Sequence, residues 1–139
     1  MKSASAPDPP AVHATAIIDA AAELGAGVSV GPFAIIGPGV TLGDGVEVGP
    51  RVHIPRDTTV GPGCVLHTGA VVGSDPQDLK YAGESSRLEV GARTRVREYC
   101  TLNRGTGEGG VTRVGEDCLL MAYSHVGHDC SVGHHAVLA

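Results

Sequence analysis

An all-β solenoid, a parallel β-helix, is the fold class that this sequence predicts, and two repeating features indicate it. From residue 12 to residue 72 a branched aliphatic side chain stands at every sixth position. A period of six fits neither a helix nor an ordinary strand, but it fits a short strand and a tight turn repeated along a coil. These aliphatic residues are Val12, Ile18, Leu24, Val30, Ile36, Leu42, Val48, Ile54, Val60, Leu66 and Val72.

The second feature is the set of residues around each aliphatic. A small or compact residue stands two positions before it, as at Ala34 before Ile36, so both share the inward face of a strand. Glycine often follows directly, as at Gly37, where a sharp corner is easiest without a Cβ atom. The same frame predicts a continuous core formed by stacking of the coils.

The order of elements along the chain follows from this frame. Residues 1–11 contain three prolines and no apolar run, so they predict a disordered leader without a signal peptide or membrane span. Residues 12–139 predict one β-helix domain of about six or seven coils, with neighbouring strands about 4.8 Å apart. The frame is lost only at 74–87 and 104–112, which predict two loop excursions. Loops that leave a solenoid commonly carry its function.

Charge is unevenly distributed in this chain. The net charge of −5 argues against a nucleic-acid partner. Seven of the ten basic residues nevertheless lie between positions 80 and 113: Lys80, Arg87, Arg93, Arg95, Arg97, Arg104 and Arg113. Arg93, Arg95 and Arg97 alternate with inward-facing positions, so all three are predicted to point outward on one face. Such a cationic surface suits an acidic or phosphorylated partner, and it equally fits a solvated face that prevents edge-to-edge aggregation.

All four cysteines occupy the small inward position of the repeat. They are Cys64, Cys100, Cys118 and Cys130. Their spacing contains no CxxC pair, and free cysteine packs as a small apolar residue, so we expect buried reduced thiols and neither zinc ligands nor disulfides. A cytoplasmic location is expected by default, because residues 1–11 resemble neither a signal peptide nor a membrane anchor.

Three segments could carry chemistry. In residues 123–130, His125 and His128 are predicted to point outward beside Asp129, an arrangement that suits a general base, although surface histidines would read the same way. Residues 73–84 offer Gln77, Asp78 and Lys80, which could hold a sugar hydroxyl and a phosphate. That loop could also be a plain insertion. The third segment, residues 97–106, fits a binding role and a basic surface loop about equally well.

Four stretches together resemble a known enzyme family. They are the hexad repeats, QDLKYAGE at 77–84, the RE…T…RGT stretch at 97–106 and HxxHDC at 125–130. The resemblance covers residues 12–139, and the family is that of the cytoplasmic UDP-N-acetylglucosamine O-acyltransferases of lipid A biosynthesis. It implies a left-handed β-helix, a homotrimer, and transfer of a 3-hydroxyacyl group from acyl carrier protein to the sugar 3-hydroxyl without a metal or other cofactor.

The resemblance also implies roles for individual residues. His128 would be the general base and Asp129 would support its imidazole. Asp78, Lys80 and His125 would hold the nucleotide sugar. Asn103 departs from the histidine that some members carry, so a substrate hydrogen bond can persist there but a titrating role cannot.

The C-terminal part of the repeat and two alternative functions also have to be considered. The repeat is still running at Ala139, so we expect further coils in the parent protein, with a site completed between subunits. A zinc-dependent γ-class carbonic anhydrase would use the same fold with different chemistry. A non-catalytic trimeric scaffold is the other alternative.

Overall fold

Three parallel sheets form the faces of a prism, and successive strands of the chain pass from one face to the next. The computed structural model describes residues 6–139. Its strands are stacked as six full coils and the first strand of a seventh. The fold is a left-handed parallel β-helix, as predicted. It has this form because each hexad supplies one short strand and one corner.

The strands belong to three faces. The first face contains β1 (Ala11–Val12), β4 (Ser29–Val30), β7 (Glu47–Val48), β10 (Val65–Leu66), β13 (Arg95–Val96), β16 (Leu119–Leu120) and β19 (Val137–Leu138). The second face contains β2 (Ile17–Ile18), β5 (Ile35–Ile36), β8 (His53–Ile54), β11 (Val71–Ser74), β14 (Thr101–Asn103) and β17 (His125–Val126). The third face contains β3 (Glu23–Leu24), β6 (Thr41–Leu42), β9 (Thr58–Val60), β12 (Arg87–Val90), β15 (Val111–Val114) and β18 (Ser131–Val132).

The predicted inward frame forms the core, and its aliphatic positions pair from coil to coil; the register shifts beyond Val72, where Ser74 pairs with Asn103. Val48 pairs with Leu66, and Leu66 pairs with Val96 across the first loop. Leu102 likewise pairs with Val126 across the second loop. Stacking therefore places like side chains above one another, which keeps the interior apolar and continuous.

One edge of the prism carries both excursions. It joins the second face to the third, and we call it the loop edge: residues 75–86 between β11 and β12, 104–110 between β14 and β15, and 127–130 between β17 and β18. The two loops are slightly shorter than predicted, because β11 extends to Ser74 and β12 and β15 begin at Arg87 and Val111. The loop edge thus brings three successive corners of the coil together.

The ends of the stack differ from the expectations in two places. Residues 1–5 of the predicted leader lie outside the described residues, and Ala11 already pairs with Ser29, one residue before the predicted boundary. Cys130 is exposed, so the prediction of four buried cysteines was wrong at this position. It lies in the last full coil, where only β19 stacks further along the described chain.

The other three cysteines are buried and free, as predicted. Burial raises the pKa of the Cys64 thiol, which keeps it protonated and unreactive.

Gly37→Ala is expected to destabilise the fold by about 1–3 kcal/mol. A Cβ atom at Gly37 would lie 1.7 Å from the carbonyl oxygen of Pro55, and this backbone atom cannot move aside without shifting its own coil. Gly133→Ala is the matched control, because a Cβ atom there meets nothing within 4 Å. Urea unfolding of both variants measures the effect, and equal midpoints would contradict the close packing of these corners.

Candidate functional site

The histidine and aspartate predicted as a catalytic pair are in direct contact on the loop edge. His128 Nδ1 lies 2.9 Å from Asp129 Oδ2, and the two side chains are 35% and 43% exposed. Asp129 has a φ of 62°, in the left-handed region that few residues other than glycine and asparagine or aspartate adopt. Side chains at this corner reach solvent while Val126 stays in the core. The pair can therefore meet a substrate without disturbing the coil.

Asp129 is held by the preceding corner of the loop edge. The backbone N–H of Thr106 donates to Oδ1 at 2.9 Å, and the Thr106 hydroxyl donates to Oδ2 at 2.5 Å. The Thr112 hydroxyl accepts from the backbone N–H of Asp129 at 2.9 Å. The Thr106 hydroxyl, and after it His128, hold the pKa of Asp129 below its ordinary value. The carboxylate is therefore ionised at neutral pH and can accept a hydrogen bond from a protonated imidazole nitrogen.

His125 lies three residues before His128, on β17, and its side chain also points outward as predicted. Its Nδ1 is 2.7 Å from the hydroxyl of Thr101 on β14. Each of the two histidines thus has one ring nitrogen engaged by the protein. The other nitrogen, Nε2, is the one that can contact a ligand.

The first loop places two predicted binding residues in one cavity. This cavity of about 250 Å³ is lined by Asp78, Lys80, Tyr81, Glu84, Thr106 and Gly107. The backbone N–H of Lys80 donates to Asp78 Oδ1 at 2.9 Å, which fixes the turn that presents both side chains. Thr106 belongs both to the cavity wall and to the contacts of Asp129. The cavity and the histidine–aspartate pair are therefore adjacent on the loop edge.

Two predicted site residues lie elsewhere. Gln77 is exposed but does not line this cavity. Asn103 is only 1% exposed, and its amide nitrogen donates to the Ser74 hydroxyl at 2.7 Å. Its Oδ1 atom is buried without a hydrogen-bond partner. The structure thus places Asn103 beneath the surface and joins it to the end of β11.

Arg104 is a residue whose role the sequence did not reveal. It is one of the seven clustered basic residues, but its side chain is only 1% exposed and adds no charge to the surface. Its guanidinium donates to the carbonyl of Gly73, to Asp75 Oδ1 and to the Tyr81 hydroxyl. Arg104 therefore fastens the first loop to the base of the second. The RGT stretch at 104–106 was the sequence signal for this residue, but sequence alone could not distinguish a buried arginine from one in a basic surface loop.

The rest of the predicted cationic surface is largely paired. Arg93 forms ion pairs with Asp117 and Glu116, and Arg97 forms one with Glu98. The Arg97 guanidinium lowers the pKa of Glu98 to about 2. These arginines point outward as predicted, but their charge is mostly balanced by neighbouring acids.

The described residues contain neither a cluster of metal-ligating side chains nor a membrane-spanning helix. Within residues 6–139, no three histidine, cysteine, aspartate or glutamate side chains cluster as metal ligands would. In the same part of the chain, no helix has the length and apolarity needed to cross a membrane.

Known proteins resemble this chain in sequence and in structure. Residues 21–56 and 39–74 match the family described as bacterial transferase hexapeptide (six repeats). An acyl-[acyl-carrier-protein]–UDP-N-acetylglucosamine O-acyltransferase from Chlorobaculum parvum is 57% identical over 119 residues, covering 86% of this chain and 45% of the relative. The namesake protein from Paracidovorax citrulli is 54% identical over 125 residues, covering 89% and 48%.

Solved structures show the same relationship. The UDP-N-acetylglucosamine acyltransferase of Bacteroides fragilis superposes with a TM-score of 0.85 at 36% identity, over 90% of this chain and 52% of that one. The Francisella novicida acyltransferase superposes with a TM-score of 0.86 at 34% identity, over 88% and 45%. The chain spans about half the length of the curated relatives it matches.

These matches favour the acyltransferase resemblance over the carbonic anhydrase alternative. They extend over 86% and 89% of this chain. The chain is therefore a hexapeptide-repeat left-handed β-helix that is similar, along most of its length, to the UDP-N-acetylglucosamine O-acyltransferases.

Proposed function

We propose that this chain provides the general base and the nucleotide-sugar loop of an acyltransferase. The enzyme moves a 3-hydroxyacyl group from acyl carrier protein to the 3-hydroxyl of UDP-N-acetylglucosamine, the first step of lipid A biosynthesis. One observation carries the proposal: the His128–Asp129 pair shares Thr106 with a cavity lined by Asp78 and Lys80. The O-acyltransferase activity for which the relatives are named supplies the reaction.

The reaction needs a base that can take a proton from an alcohol near neutral pH. His128 accepts the 3-hydroxyl proton at Nε2 as the sugar oxygen attacks the thioester carbonyl. Asp129 stabilises the imidazolium that forms, because its carboxylate already contacts Nδ1. The carbon–sulfur bond then breaks, and His128 returns the proton to the departing thiolate of the carrier. The ester and a free thiol are the balanced products.

The binding residues act on the nucleotide sugar. Lys80 is a point charge that suits a phosphate, and Asp78 can accept a hydrogen bond from a sugar hydroxyl. His125 and Gln77 are exposed near the same edge and complete the proposed contacts. The site is open to solvent on one side, which is consistent with a homotrimer in which a neighbouring subunit covers it. The acidic carrier protein is the second proposed partner.

A cytoplasmic location is part of the proposal. Cys64, Cys100 and Cys118 are buried and unpaired, as is usual in a reducing compartment.

The direct test is acyl transfer by the protein that carries this chain. It is incubated with UDP-N-acetylglucosamine and 3-hydroxyacyl carrier protein, and mass spectrometry detects the acylated sugar while a thiol reagent detects the released carrier. The 3-deoxy sugar nucleotide is the matched control, because it lacks the attacking hydroxyl. We expect product only with the normal substrate. Thiol release without acyl sugar would indicate hydrolysis and contradict the proposal.

Asp78→Ala and Lys80→Ala are each expected to weaken UDP-N-acetylglucosamine binding by about tenfold, because each removes a charge-assisted contact. Both side chains lie on a loop and reach solvent, so stability is expected to change by less than about 0.5 kcal/mol. Calorimetric titration measures the affinity. Glu23→Ala, an exposed change on β3 far from the loop edge, is the control. Unchanged affinity in both loop variants would mean that residues 75–86 have no binding role.

A further inference from the structure

Thr106 donates two hydrogen bonds to one carboxylate, that of Asp129. Its backbone N–H donates a hydrogen bond to Oδ1, and its hydroxyl donates one to Oδ2. The second oxygen, Oδ2, also faces His128 Nδ1 at 2.9 Å. The hydroxyl of Thr106 and the imidazole of His128 therefore meet at the same carboxylate oxygen. The orientation of that oxygen depends on both.

Thr106 itself is held on a tightly packed loop. A Cβ atom at Gly110 would lie 1.9 Å from the Thr106 carbonyl oxygen, so the loop closes directly on this residue. The backbone N–H of Gly105 donates to the Arg87 carbonyl at 3.2 Å. The N–H of Arg104 donates to the Ser74 carbonyl at 2.9 Å, while its buried guanidinium binds Gly73 and Asp75. Thr106 is thus presented by a rigid support and not by a free loop.

We infer that Thr106 is a positioning residue for the proposed reaction: through Asp129 it holds His128 with the proton on Nδ1 and the lone pair on Nε2. This inference rests on the proposed function for its purpose but not for its geometry. A neutral imidazole exists as two tautomers, and a carboxylate facing Nδ1 favours the one that donates there. With both oxygens held, the carboxylate of Asp129 cannot rotate away from the ring.

Loss of the hydroxyl would leave Asp129 with one contact from Thr106. The backbone bond to Oδ1 remains, but the whole carboxylate is less restrained about its last side-chain torsion, which is a soft rotation for aspartate. The Nδ1–H tautomer of His128 loses part of its advantage. Because a hydrogen bond to a charged group is a strong one, we expect the tautomer ratio to fall about tenfold.

The test is ¹⁵N NMR of histidine-labelled protein at about pH 8.5, where imidazoles are ordinarily neutral. In the wild type we expect the His128 nitrogens to show mainly the Nδ1–H form. Thr106→Val should give a mixture of both tautomers, and Thr106→Ser, which keeps the hydroxyl, should restore the wild-type pattern. If Thr106→Val does not fold, the smaller Thr106→Ala gives the same reading. An unchanged His128 tautomer in a folded variant without the hydroxyl would overturn the inference.

Thr101→Val is the matched control, because Thr101 holds the other histidine of the site at 2.7 Å. It should alter the signals of His125 and leave those of His128 unchanged. A His128 change in this variant as well would indicate general loosening of the loop edge and overturn the specific role of Thr106.

Kinetics separates this inference from the proposed function. In the acyl-transfer assay, Thr106→Val should lower kcat about tenfold with little change in KM, since the hydroxyl acts on the base and not on the sugar. If the wild-type protein transferred no acyl group, the proposed function would be contradicted, but the effect of Thr106 on the His128 tautomer would still hold. Normal kcat together with a shifted tautomer would overturn the catalytic purpose of Thr106.

Discussion

Val48→Asp is expected to abolish stable folding. Val48 on β7 is 3% exposed and stacks between Val30 and Leu66 in the core. A carboxylate there would have neither water nor a partner, at a cost of roughly several kcal/mol. Since domains are commonly stable by only about 5–15 kcal/mol, a narrow core has little reserve against such a change. Circular dichroism and thermal melting measure the loss.

The neighbouring residue is the control for this prediction. Glu47 lies on the same strand and points outward, so Glu47→Ala should change stability by less than about 0.5 kcal/mol. A Val48→Asp protein that melts cooperatively at the wild-type temperature would mean that the inward register is wrong.

His128→Ala is expected to lower acyl transfer by about a hundredfold or more, because it removes the group that takes the hydroxyl proton. The side chain is 35% exposed and contacts Asp129, so no core packing is lost. His53→Ala removes another exposed histidine on the same face, at β8, and should keep full activity. Rates are measured with circular dichroism as the check of folding. Near-normal turnover in a folded His128→Ala protein would remove this residue from the mechanism.

The fold could be predicted from sequence because its cause is local and repeated. Each hexad carries its own strand, inward side chain and corner, so Val30, Val48 and Leu66 could be aligned without knowing any distant contact. The outward placement of His125 and His128 followed from the same alternation. Both loops were found because they break the repeat, not because of their own sequence.

The rest of the site could not be predicted because it depends on distant partners. Arg104 can be buried because Gly73, Asp75 and Tyr81 accept hydrogen bonds from its guanidinium. Nothing at position 104 of the sequence indicates those contacts. Asn103 was predicted from the sequence to keep a substrate hydrogen bond, and its bond to Ser74 of the coil below could not be foreseen. Thr106 belongs to the RGT stretch, yet its two hydrogen bonds to Asp129 depend on the corner of the coil above.

The constant pairing of inward side chains on either side of the loop edge separates scaffold from chemistry. Neighbouring strands of the prism lie about 4.8 Å apart, so functional groups on successive corners rise in fixed steps along its axis. Loops 75–86 and 104–110 change what stands at each step, while the pairing of Leu66 with Val96 and of Leu102 with Val126 leaves the steps themselves unaltered. Substrate preference in such a molecule can diversify by exchanging loops at constant height, without redesign of the core that supports them.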